Sequence, residues 1–161
     1  MNTAQKTGSL YIVATPIGNL GDISQRMKDI LSSADILACE DTRHTGRLLA
    51  HLGIKADLTS YHRDNEQQKT ACLLERLSEG MDIALVSDAG TPGISDPGSV
   101  LVRGARERGI PVVPIPGPSA LAAALSVSGM QGTCFYFGGF PAAKKTERIK
   151  QFHALKAFTC P

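Results

Sequence analysis

The 161-residue sequence has no apolar run that approaches the roughly 18 residues a membrane-spanning helix requires. Its first eight residues, Met1 to Gly8, are polar and do not resemble a signal peptide. The four cysteines are scattered and form no C-x-x-C pair, so neither a zinc site nor a disulfide framework is indicated. These absences predict a cytoplasmic protein without a membrane segment and without a metal site.

Several common catalytic motifs are missing as well. The sequence contains no G-x-x-x-x-G-K-[ST] segment, no G-x-G-x-x-G after its first predicted strand, and no G-x-S-x-G. ATP hydrolysis by a P-loop, ordinary dinucleotide binding and α/β-hydrolase chemistry are therefore disfavoured.

The net charge is only +2, but it is unevenly distributed. Residues 144–161 contain five of the 17 Lys and Arg residues and a single acidic residue, Glu147. Such a segment is either a solvated helix face or a surface that attracts phosphate backbones, and charge does not decide between them. We predict one α/β domain over residues 1–143, followed by a basic helical segment over 144–161.

What the sequence does contain is a regular alternation of strand and helix patterns. Short apolar runs predict six strands, at 9–13, 36–39, 56–61, 82–86, 110–115 and 134–137. The alternation indicates an α/β fold with a mainly parallel sheet flanked by helices. Unusual loops follow five strands, at 15–21, 40–45, 62–65, 87–98 and 116–119. Because the carboxyl ends of parallel strands share one edge, we expect a single site there.

The longest of these loops, 87–98, contains three glycines and two prolines. A ligand can approach its main chain closely, because glycine has no Cβ. Asp96 is predicted to cap the following helix, with Pro97 at its first position. Alternatively, Asp41, Asp88 and Asp96 hold Mg²⁺ for phosphoryl transfer, since hard cations prefer carboxylates.

Four segments, read together and in order, resemble one family. They are Thr15-Pro16-Ile17-Gly18-Asn19-Leu20, Glu40-Asp41-Thr42-Arg43-His44-Thr45, Ser87 through Gly98, and Pro116-Gly117-Pro118-Ser119-Ala120. The family is the S-adenosylmethionine-dependent tetrapyrrole methylase superfamily, and the second segment is similar to that of its rRNA-methylating branch. The resemblance covers about residues 8–150 and implies the fold of an N-terminal domain of that superfamily.

The resemblance implies S-adenosylmethionine as the cofactor and 2′-O-methylation of a cytidine ribose in small-subunit ribosomal RNA as the activity. The implied cofactor-binding residues are Ser87, Asp88, Ala89, Gly90, Ile94, Pro116, Gly117, Ser119 and Ala120. Methylation of a tetrapyrrole or other small molecule is an alternative, as is a fragment that binds RNA or cofactor without turnover. A Mg²⁺-dependent phosphohydrolase is a third and more distant alternative function.

The same resemblance places the substrate at the first two segments. The implied substrate-binding residues are Thr15, Pro16, Gly18, Asn19, Glu40 and Arg43. Arg63, after the third predicted strand, is a further candidate because of its charge, and either arginine would hold a phosphate. A sulfonium methyl donor is already activated, so placement of the nucleophile matters more than acid–base machinery. Removal of the ribose proton would still help, and Asp41, His44 and His62 are the candidate bases.

Members of the superfamily carry a second α/β domain, and the cofactor lies in the cleft between the two. We therefore expect this chain to supply one wall of the cofactor pocket. Apolar surface at the domain junction is expected to favour a homodimer. The expected partner is small-subunit ribosomal RNA, either free or within the small ribosomal subunit. We do not expect a membrane as a partner.

Overall fold

The computed structural model describes residues 7–131 and 134–157. The first six residues of the polar N-terminal stretch and the last four of the basic segment, including Cys160, lie outside the described residues. The strands are β1 (Leu10–Val13), β2 (Ile36–Cys39), β3 (Leu58–Ser60), β4 (Ile83–Val86) and β5 (Val112–Ile115). The helices are α1 (Gln25–Ser33), α2 (Thr42–Leu52), α3 (Glu66–Ser78), α4 (Ser99–Glu107), α5 (Ala120–Val127) and α6 (Lys145–Leu155).

The strands form one parallel sheet in the order β3-β2-β4-β1-β5. All four residues of the central strand β4 are buried, as expected of an apolar run covered on both faces. Pro114 lies in the edge strand β5, where the missing N–H is tolerated. The predicted α/β fold with a parallel sheet is thus confirmed.

Helices cover both faces of this sheet and build a separate core on each. On one face, α1 and α2 contribute Met27 and Leu49 to a buried cluster. On the other face, α3 and α4 contribute Leu73 and Leu101 to a second cluster. The helices that follow β1 and β2 therefore pack on the face opposite to those that follow β3 and β4.

The chain divides into two compact units, Met1–Ala120 and Leu121–Pro161. The first unit contains the whole sheet and helices α1 to α4. In the second unit, α6 forms within the predicted basic segment, and neither α5 nor α6 has a buried residue. Large apolar side chains such as Phe140 and Phe152 are exposed there, at 82% and 52%.

The predicted sixth strand is wrong. Residues 134–137 form no strand in the part of the chain that the structure describes, and three aromatic side chains there, Phe135, Tyr136 and Phe137, are about half exposed. A strand forms only where a neighbouring strand accepts its main-chain hydrogen bonds, and an apolar run does not supply that neighbour. Among the described helices, none is long and apolar enough to span a bilayer.

Candidate functional site

The carboxyl edge of the sheet is open on both sides of the loop that follows β4. This loop leads to α4 on one face, whereas the loops after the neighbouring strands β1 and β2 lead to α1 and α2 on the other. Loops that leave for opposite faces open a crevice between them, and α/β proteins bind ligands in such crevices. The topology therefore places two crevices beside residues 87–98.

Main-chain hydrogen bonds join the loop after β1 to the loop after β4. Thr15 N–H donates to Gly90 O at 2.9 Å, and Gly90 N–H donates to Thr15 O at 3.1 Å. The buried Thr15 hydroxyl also donates to Ser87 O at 3.1 Å, while the Ser87 hydroxyl donates to Gly90 O at 3.2 Å. Two of the resembling segments are thereby held in one rigid arrangement.

The loop after β4 holds unusual backbone conformations. Gly90 has a φ of +83° and Gly98 a φ of +137°, both rarely adopted by residues with a side chain. A Cβ at Gly98 would lie 2.8 Å from Leu85 Cδ2, so this glycine also allows close packing on β4. Ser95 has a φ of +66° without being glycine, a strain typical of ligand-binding loops.

Asp41 connects the loops after β2 and β4. Its N–H donates to Asp88 Oδ1 at 3.2 Å. Its carboxylate caps α2, accepting from the N–H groups of Arg43 at 2.8 Å and His44 at 3.4 Å. The Arg43 main-chain bond, foremost among these contacts, lowers the pKa of Asp41. Arg43 Nε also lies 3.6 Å from Asp41 Oδ1, on a side chain that is 89% exposed.

Three carboxylates, from Glu40, Asp88 and Asp96, gather at this edge. Burial raises the pKa of Glu40, and the charges of Asp88 and Asp96 raise it further. Burial also raises the pKa of Asp96, which is hydrogen-bonded to the Ser87 side chain and repelled by Asp88. Arg63 lies close enough to lower the pKa of both Glu40 and Asp96. The cluster is a region of negative potential partly balanced by one arginine.

The predicted helix cap at Asp96 is wrong. Gly98 occupies the cap position of α4, and no side chain caps that helix. The chain turns with Gly98 in a left-handed conformation, so α4 begins at Ser99, later than Asp96 would allow. Asp96 is instead part of the carboxylate cluster. The alternative interpretation of the sequence had grouped Asp96 with Asp88, and these two carboxylates do lie in one cluster.

The Pro-Gly segment after β5 lies against the end of β1. A Cβ at Gly117 would lie 3.0 Å from Ala14 Cβ and 3.2 Å from Ala14 O, so these two segments of the chain are closely packed there. Pro116 is exposed, Ser119 is half-buried, and Ala120 is the exposed first residue of α5. This loop therefore borders the same edge on the far side of β1.

A groove of about 530 Å³ lies between residues 16–20 and α2. The predicted site residues that line it are Pro16, Gly18, Asn19, His44, Asp88 and Ala89. Arg47 and His51 also line it, although the sequence showed only a helical pattern there. A second groove, of about 660 Å³, lies beside α4 and is lined by Gly93 and Ile94.

His62 and Arg63 lie after β3, outside the lining of both grooves. His62 N–H donates to Asn65 Oδ1 at 2.8 Å, and its ring Nδ1 lies 4.0 Å from Asp64 Oδ2. Both residues favour the ionised form of Glu40 and so limit the rise in its pKa that burial causes. Within residues 7–131 and 134–157, no group of three or more His, Cys, Asp or Glu side chains is arranged to hold a metal ion.

The model of the Tetrapyrrole (Corrin/Porphyrin) Methylases matches residues 9–158, nearly the whole chain. The chain belongs to the tetrapyrrole methylase family. Among solved structures, a uroporphyrin-III-C-methyltransferase from Thermus thermophilus is similar, with a TM-score of 0.59, 26% identity, and coverage of 77% of this chain and 54% of that one. A conserved hypothetical protein from Aeropyrum pernix K1, with a TM-score of 0.64 and 20% identity, shares the fold, over 81% of this chain and 46% of that chain.

Curated relatives narrow the position of this chain within the tetrapyrrole methylases. It is 55% identical over 93% of its length to ribosomal RNA small subunit methyltransferase I of Escherichia coli O157:H7, covering 52% of that protein. It is 57% identical over 91% of its length to the protein of the same name from Vibrio cholerae, covering 51%. The chain thus spans about half the length of these relatives. The resemblance stated from four sequence segments is confirmed.

Proposed function

We propose that this chain forms part of an S-adenosylmethionine-dependent enzyme that methylates a cytidine ribose 2′-hydroxyl in small-subunit ribosomal RNA. The observation that carries the proposal is the joining of its motif loops at one sheet edge, through the bonds between Thr15 and Gly90 and between Asp41 and Asp88. The 55–57% identity to rRNA methyltransferases favours RNA over a tetrapyrrole substrate, because the similar uroporphyrin-III-C-methyltransferase is only 26% identical.

The residues at the edge suit the chemistry of this cofactor. S-adenosylmethionine, when bound, supplies an electrophilic methyl group on a sulfonium cation. Glu40, Asp88 and Asp96 make the crevice favourable for a cation, and burial strengthens their interaction with it. Residues Ser87 to Gly90 and Ile94 would hold the cofactor from one side and the segment from Pro116 to Ala120 from the other.

On the substrate side, the candidate bases differ in their surroundings. Asp41 is committed to capping α2, and its lowered pKa makes it a weak proton acceptor. His62 lies outside the groove that Asp88 lines, whereas His44 lines it. In this proposal, His44 is therefore the base that removes the proton from the ribose hydroxyl. Thr15, Pro16, Gly18 and Asn19 would shape the site, and Arg43 and Arg63 would contact phosphates.

Calorimetric titration of S-adenosylmethionine and S-adenosylhomocysteine into this chain tests the proposal. The two ligands differ in charge at sulfur, so Asp88→Asn should weaken the sulfonium form roughly tenfold and the neutral thioether much less. Asparagine keeps the acceptor for the Asp41 N–H, which preserves the loop. The matched control is Asp57→Asn, on an exposed residue just before β3 at the opposite edge.

Each result of the titration has a defined meaning. Absence of saturable binding of either ligand to the unsubstituted chain would contradict the cofactor assignment. Equal weakening of both ligands by Asp88→Asn would mean that Asp88 acts on the loop and not on the sulfonium charge.

The cellular context belongs to the same proposal. We expect a cytoplasmic enzyme that acts as a homodimer on ribosomal RNA, free or within the small ribosomal subunit. The exposed apolar side chains of the second unit, among them Phe140 and Phe152, support association with further protein surface.

A further inference from the structure

The groove between residues 16–20 and α2 has two chemically different walls. Ile17 and Leu20 form an apolar wall and are 37% and 48% exposed. His44, Arg47 and His51 line the other wall. A wall that carries the charge of Arg47 and the polar rings of two histidines, opposite an apolar wall, fits a ligand that is both anionic and partly apolar.

The sequence of α2 explains this second wall. His44, Arg47 and His51 are spaced by three and four residues, which places them on one face of a helix. Thr45 and Leu49 are buried on the opposite face. The helix is therefore anchored through one side, while the side that carries His44, Arg47 and His51 stays exposed along the groove.

Arg47 differs from the nearby arginine at the start of the same helix. Arg43 pairs with Asp41 at 3.6 Å. Within the described residues, no carboxylate lies within ion-pair distance of Arg47. Its charge is consequently available to a ligand, and a guanidinium binds phosphate oxygens in a bidentate manner.

We propose that this groove binds one nucleotide of single-stranded RNA, with its phosphate on Arg47 and His51 and its nucleoside against Ile17 and Leu20. The volume of about 530 Å³ lies in the range of small-molecule sites. Asp88, which also lines the groove, can accept a hydrogen bond from a ribose hydroxyl or an exocyclic amine. The inference rests on the proposed function and names the residues that hold its RNA.

Fluorescence anisotropy with a labelled single-stranded oligocytidylate tests the groove. Arg47→Ala should weaken binding roughly tenfold, because a charge-assisted contact to phosphate is lost. It should also reduce the slope of log affinity against log salt by about 0.7, the value for one phosphate contact in a single strand. The control Arg76→Ala removes the same charge from α3 on the other sheet face, where Arg76 pairs with Glu79 at 3.6 Å.

The outcomes separate this inference from the proposed function. Equal weakening by Arg47→Ala and Arg76→Ala would mean that RNA responds only to total charge, and the groove would be rejected. An unchanged salt slope in Arg47→Ala would reject the phosphate contact in particular. If the unsubstituted chain binds S-adenosylmethionine but no RNA at low salt, the groove fails while the cofactor assignment stands. Failure to bind S-adenosylmethionine contradicts the proposed function independently of RNA.

Discussion

The loop after β4 and the exposed face of α2 meet at one sheet edge but are built in opposite ways. The loop contains three glycines with positive φ, a strained Ser95, and Asp96, whose pKa is raised by burial. The face of α2 is an ordinary helix surface whose charged side chains are exposed to solvent. We therefore expect one side of the site to reduce the stability of the fold and the other to leave it unaffected.

This difference indicates different tasks. A strained backbone and repelling carboxylates persist only where the surrounding structure holds them, and they are typical of sites that must be rigid before the ligand arrives. Exposed cations on a helix cost little and suit a long, charged and variable partner such as RNA. We therefore expect substitutions in the loop to change stability and cofactor binding, and substitutions of Arg47 and His51 on α2 to change RNA binding alone.

The largest effect is expected at Gly98. Gly98→Ala should lower the free energy of unfolding by about 3 kcal/mol, because it adds the strain of a positive φ to overpacking against Leu85. Gly93→Ala is the matched control, since Gly93 also has a positive φ but a Cβ there would have no neighbour within 4 Å. Its cost should be about 1 kcal/mol. Urea unfolding measures both.

A substitution on the exposed face of α2 completes this test of the loop. Arg47→Ala on α2 should change the free energy of unfolding by less than about 0.5 kcal/mol, as exposed substitutions usually do. Equal losses in Gly98→Ala and Gly93→Ala would show that contact with Leu85 is unimportant. A large loss in Arg47→Ala would remove the contrast between the two sides.

Much of this arrangement could be predicted from the sequence. The alternation of strands and helices indicated a parallel sheet, and a parallel sheet brings its strand ends to one edge. Thr15, Asp41, Ser87 and Gly117 were therefore expected at one edge of the sheet. The structure joins Thr15 to Ser87 and Asp41 to Asp88, and it packs Gly117 against Ala14. The contacts themselves, such as Thr15 with Gly90, depend on strand order, which no local pattern encodes.

The features that were missed share one physical cause. Arg47 and His51 lie in a helical pattern, and they become part of a groove only because the loop after β1 approaches α2. Asp96 was interpreted as a helix cap, because capping is a local property that a sequence expresses directly. Its actual neighbours are Asp88, which lies in the same loop, and Glu40, which follows a different strand, β2.

A smaller effect is expected from pH at Asp96. Burial raises its pKa, so the folded protein keeps this proton at a pH where the unfolded chain has lost it. Stability should therefore fall as pH rises from the ordinary carboxyl pKa of about 4 through the raised value. Asp96→Asn should remove this fall and be more stable above that window, by less than about 1 kcal/mol because the carboxyl is partly solvated.

The opposite sign at Asp41 provides the control. Its pKa is lowered by the hydrogen bonds at the start of α2, so its ionised form stabilises the fold, and that stability is lost as pH falls. Asp41→Asn should therefore be less stable than the unsubstituted chain near neutral pH, with the difference closing in acid. Unfolding curves at about pH 3 and about pH 7 compare the two variants. If both substitutions changed the free energy of unfolding in the same direction near neutral pH, the conclusion that ionised Asp96 destabilises the loop while ionised Asp41 stabilises α2 would be contradicted.

The smallest effect is expected at Ser95, where the strain of the loop can be measured alone. Ser95→Gly relieves a left-handed conformation, at a cost in the entropy of the unfolded chain, and should raise the free energy of unfolding by about 0.5 kcal/mol. The same chemical change in α1, Ser32→Gly, should lower it by about 0.5 kcal/mol, because glycine weakens a helix. Urea unfolding of the two variants measures both changes. A gain in the free energy of unfolding at Ser95 with a loss at Ser32 would show that the loop after β4 stores strain. A loss at both positions would mean that Ser95 adopts its conformation without strain.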